Sequence, residues 1–65
     1  MNGALDNWYE ERQSAWLYRV IALRETDQKT VTLFTDLAQA ADGQAKIWAA
    51  SLKDAPPTFA PSMRA

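Results

Sequence analysis

Cysteine and histidine are both absent from these 65 residues. Without Cys the chain has no disulfide framework, thiolate zinc site, iron–sulfur cluster or cysteine nucleophile. Without His there is no Ser-His-Asp arrangement and no imidazole-held haem, so Ser14, Ser51 and Ser62 have no histidine base to activate them. Gly3 and Gly43 stand alone, which excludes a glycine-rich phosphate loop. An excess of positive charge is missing too: seven basic against eight acidic side chains give a net charge of -1, and Lys29, Lys46 and Lys53 are dispersed. Nucleic acid is therefore not among the expected partners. No apolar run approaches the roughly 20 residues of a membrane span. The opening MNGALDNWYEER is too polar and acidic to read as a signal peptide, so the cytoplasm is the default compartment expected.

What is present is apolar and helical in rhythm. Hydrophobic residues make up 48% of the chain and include three Trp, a globular composition at a size where burial is marginal. Residues 1–6 read as a lead-in. Asn7-Trp8-Tyr9-Glu10 fits a capping box, with an Asn N-cap and Glu three residues on, and predicts a first helix over about 7–25. Glu25-Thr26-Asp27 interrupts the apolar pattern, and Asp27 or Thr26 supplies an N-cap for a second helix over about 27–53. Asp54-Ala55-Pro56-Pro57 stops it. The β-branched run Val31-Thr32-Leu33-Phe34-Thr35 weakens helix propensity, but continues without a turn into the Ala-rich stretch from Leu37 to Ala50. A connection this short makes residues 7–54 an antiparallel helical hairpin. Residues 55–65, with three prolines, read as an extended linker to a downstream domain.

At 100° per residue, Trp8, Glu11, Ala15, Tyr18 and Ala22 share one stripe of the first helix, and Leu5, Tyr9, Trp16, Val20 and Leu23 a second. On the second helix, Phe34, Leu37, Ala41, Gln44, Ala45, Trp48 and Leu52 recur at three- and four-residue spacing. A sibling helix covers only one face, so the pattern predicts a two-fold dimer closing into a four-helix bundle. Trp8, Trp16, Phe34, Leu37 and Trp48 are the expected core and dimer-packing residues. Gly43 in mid-helix costs about 1 kcal/mol unless a close helix approach uses it. Glu11 is out of place in an apolar stripe, either paired with Arg12, Arg19 or a partner chain, or a metal-binding carboxylate. Tyr18 is expected to direct its hydroxyl at Glu11 or Gln44.

Glu11 followed seven positions later by Tyr18, in the run Glu-Arg-Gln-Ser-Ala-Trp-Leu-Tyr-Arg, resembles the first helix of the rubrerythrin-like branch of the ferritin-like superfamily. The stretch from Trp8 to Leu52 is similar to the short ferritin-like domain at the N-terminus of some bacterial membrane proteins of the vacuolar iron transporter family. The tail Phe59-Ala60-Pro61-Ser62-Met63-Arg64 resembles the linker before their membrane part. In that family the second helix supplies a Glu-x-x-His ligand pair. Alignment on Glu11, Tyr18 and Trp48 puts the pair at Ala41 and Gln44, neither of the expected kind.

The resemblance thus implies an all-α, ferritin-like four-helix bundle built from two hairpins. Glu11 would be the remnant ligand, and Tyr18, Ala41 and Gln44 would line the former site. The implied role is a non-catalytic dimerisation or regulatory domain of a membrane iron or manganese transporter-like protein, on the cytoplasmic face of the inner membrane, with no cofactor. One alternative is an atypical Fe or Mn site in which Asp36 or Asp42 joins Glu11; the other is a small adaptor binding a partner helix.

Overall fold

The computed structural model describes residues 3–62. Two helices, α1 (Ala4–Arg24) and α2 (Gln28–Ala50), pack along each other as an antiparallel hairpin, and no strand occurs among the described residues. The three-residue connection forces the reversal. Asp27 caps α2 as its spacing predicts: the carboxylate accepts from the Thr30 amide at 3.0 Å and from the Thr30 hydroxyl at 2.9 Å. That satisfies one of the amides every helix start leaves without a partner.

The start of α1 differs from the expected one. The helix begins three residues earlier, at Ala4, with Gly3 as an N-cap that makes no side-chain bond. The Asn7 amide donates to the Gly3 carbonyl at 3.0 Å, so Asn7 and Glu10 lie inside the helix and form no capping box. Nothing in Ala4-Leu5-Asp6 resists the helix, and Asp6 in the first turn complements its dipole. At the other end α2 stops at Ala50, short of residue 53. Its last bonds tighten to three-residue spacing, Ser51 to Trp48 at 3.0 Å and Leu52 to Ala49 at 3.1 Å, and the chain turns back toward α1.

The larger correction concerns the tail. Residues 57–62 do not run free as a linker but lie along α1 from Trp8 to Gln13. Residues 63–65 of the expected linker, and 1–2 of the lead-in, lie outside the described residues.

The seam between the helices is made of small residues. Ala15 of α1 and Ala38, Ala41 and Ala45 of α2 are buried, and the only large buried side chain among the described residues is Trp8. A methyl group against a methyl group brings helices close, yet each removes little apolar area from water. No Leu, Ile, Val or Phe is fully enclosed among the described residues. The molecule is correspondingly elongated, 41 × 22 × 20 Å, with a radius of gyration of 12.8 Å against roughly 10.7 Å for a compact domain of this length.

Candidate functional site

Two flanks border this alanine seam. On the first, α1 contributes Glu11, Ser14 and Tyr18, and α2 contributes Leu37, Ala40, Ala41 and Gln44, to one shallow open groove of about 220 Å³. Helical arithmetic explains the grouping: Glu11, Ser14, Tyr18 and Ile21 span about 80° of α1, and Leu33, Leu37, Ala40, Gln44 and Ile47 about 80° of α2. The four residues expected to line a former metal site, Glu11, Tyr18, Ala41 and Gln44, therefore meet in one place. Trp48 borders an adjoining hollow with Glu11 and Ser14.

The contacts inside that groove differ from the expected ones. Tyr18 makes no hydrogen bond to Glu11 or Gln44; its ring lies against Phe34, centroids 6.1 Å apart and tilted by 39°. Glu11 forms no ion pair among the described residues, because Arg12 and Arg19 both turn to Asp42. Of the expected packing residues Trp8 is buried, Trp16, Phe34 and Trp48 are half-buried, and Leu37 is 37% exposed. Leu33 at 54% and Ile47 at 59% continue an apolar strip beside Leu37.

The second flank is ionic and aromatic. Asp42 accepts from Arg12 Nη1 at 3.0 Å through Oδ1 and from Arg19 Nη2 at 2.7 Å through Oδ2, tying α2 to two points about two turns apart on α1. The Arg12 guanidinium also lies 5.1 Å from the centre of the Phe59 ring. Phe59 meets Trp8 edge-on at 6.3 Å and Tyr9 at 5.5 Å. Three hydrogen bonds fasten the tail backbone. The Tyr9 hydroxyl donates to the Ala60 carbonyl at 3.2 Å, and the Gln13 amide both donates to the Ser62 carbonyl at 2.8 Å and accepts from the Ser62 N–H at 2.9 Å. None of these tail contacts was legible as a site in the sequence, although a proline-flanked Phe and an apolar stripe at Tyr9 were its raw materials.

A metal centre does not fit these donors. The oxygen donors that share hollows with Glu11 are the Ser14 and Tyr18 hydroxyls, the Asn7 and Gln44 amides and one further carboxylate, Glu10, while Ala41 offers a methyl group. Asp42 is committed to two arginines on the other flank, and no three carboxylates cluster among the described residues. Hard divalent or trivalent ions need several anionic oxygens or imidazoles held together. No helix of the described residues is long and apolar enough to cross a membrane. No protein-family model, no curated protein and no solved structure matches this chain.

Proposed function

We propose that this chain is a non-catalytic association module, in which two hairpins pair through the groove flank to make a four-helix bundle. The observation that carries the reading is unburied area. The chain exposes 5029 Å², whereas a compact monomer of 7.3 kDa exposes roughly 4,200 Å². The difference, on the order of 800 Å², is what each partner buries in an interface of standard size. Leu33, Leu37, Ile47 and Ile21 supply the apolar surface on that flank, and Ala40 beside them permits close approach.

A ferritin-like origin is the finer form of this proposal. Its support is the Glu11 and Tyr18 rhythm together with the meeting of Glu11, Tyr18, Ala41 and Gln44 at one groove, where that fold keeps its metal ligands. The setting would be the cytoplasmic N-terminal region of a membrane iron or manganese transporter-like protein, with the domain pairing subunits and holding no metal of its own.

Sedimentation equilibrium of the chain at micromolar concentration tests the central claim. A particle of twice the 7.3 kDa chain mass is expected. A folded monomer persisting to ~100 μM overturns it, and leaves the flank as a docking face for a foreign helix.

A further inference from the structure

The way the tail is held separates its identity from its position. The hydrogen bonds that Tyr9 and Gln13 make to it reach backbone atoms, the Ala60 carbonyl and the N–H and carbonyl of Ser62. Backbone bonds read an extended conformation and carry no information about side chains. Phe59 supplies the side-chain recognition, seated against Trp8 and Tyr9 under the Arg12 guanidinium. Pro57 and Pro61 flank it and favour the extended backbone before binding.

The tail also underfills its seat. An open pocket of about 350 Å³ remains between Pro57 and Phe59 on one side and Ala45, Lys46 and Ala49 of α2 on the other. A ligand that brings a larger aromatic body, or a carboxylate for Lys46, would contact surface the tail leaves uncovered.

We propose that this groove is a receptor for extended, proline-flanked aromatic segments of another protein, and that residues 57–62 are its built-in competitor. Gln13 sets the register by clamping both backbone groups of one residue, Tyr9 holds the carbonyl two residues earlier, and Trp8 with Arg12 receives the aromatic ring. An intramolecular occupant acts at an effective concentration of about 1 mM, so an outside segment is suppressed until the tail leaves. This flank is opposite the one assigned to pairing, and the two proposals stand or fall separately.

The test uses the whole chain and a synthetic capped peptide, APPTFAPS, which contains no Trp or Tyr. Phe59→Ala unseats the tail, and peptide binding is then read from the blue shift of the protein's Trp emission. The expected result is saturable binding to Phe59→Ala at least tenfold tighter than to the wild type, and none for the same peptide with Ala in place of Phe. A folded Phe59→Ala chain with no saturable response up to millimolar peptide overturns the proposal. So does equal affinity for the wild type, or equal response to the Ala peptide. If Phe59→Ala loses its helical circular dichroism, Ser62→Pro decides, since it loosens the tail by removing the N–H that donates to Gln13 and leaves every groove residue and Phe59 in place. Tighter peptide binding by Ser62→Pro than by the wild type supports the receptor, and equality removes it.

Discussion

The two flanks of the hairpin solve the same problem differently. Both border a seam of alanines too thin to shield large side chains. On one, the chain covers itself: Phe59 lies on Trp8 and Tyr9, and Asp42 gathers two arginines. On the other, Leu37 and its neighbours Leu33 and Ile47 stay exposed, with a lone Glu11 among them. The difference shows how a two-helix unit meets part of the burial its size demands, locally where a tail folds back; the other flank is the one the proposed pairing would cover.

The largest effect on this contrast is expected from Leu37→Arg. It places a charge in the middle of the open flank and should raise the dissociation constant of the proposed dimer by 100-fold or more, about 3 kcal/mol, in sedimentation equilibrium. Unchanged association would move the interface elsewhere. Phe59→Ala acts on the covered flank and should cost about 2 kcal/mol in urea unfolding, less than a fully enclosed Phe because the ring is half-buried. Its dimer constant should stay within twofold of the wild type, and a large change would mean the flanks are coupled. Asp42→Asn should cost about 1 kcal/mol, because side chains exposed by 23–48% are screened by solvent, and the loss should shrink in 1 M salt. A salt-independent loss would assign Asp42 a packing role instead. The smallest expected change is a gain: Gly43→Ala should stabilise by up to about 1 kcal/mol, since a Cβ there meets nothing within 4 Å. A destabilised or dissociated Gly43→Ala protein would show that another helix sits on the outer face of α2.

Local chemistry was legible and long-range closure was not. Asp27 announced itself because its bond to Thr30 spans three residues. The meeting of Glu11, Tyr18, Ala41 and Gln44 followed from helical phase alone, once a short turn fixed the two helices antiparallel. The Asn7 and Glu10 pattern misled because a capping box fits equally well inside a helix whose actual cap, Gly3, bonds through its backbone and leaves no side-chain signal. The ion pairing of Arg12 and Arg19 with Asp42 in place of Glu11 depended on which side of the seam each side chain falls. The tail was the hardest to read. Its bonds join residues 49 and 51 positions apart, and three prolines in ten residues describe an extended chain without saying what it lies against.

That sequence separation also orders events in time. The hairpin closes through a three-residue turn and can zip outward from it, so it forms before the tail docks. The clasp at Gln13 waits for Ser62, which leaves the ribosome twelve residues after the end of α2. A nascent chain therefore passes through an interval in which both helices are paired and the Trp8 groove is vacant. In that interval the outside segment proposed for this groove would meet no rival.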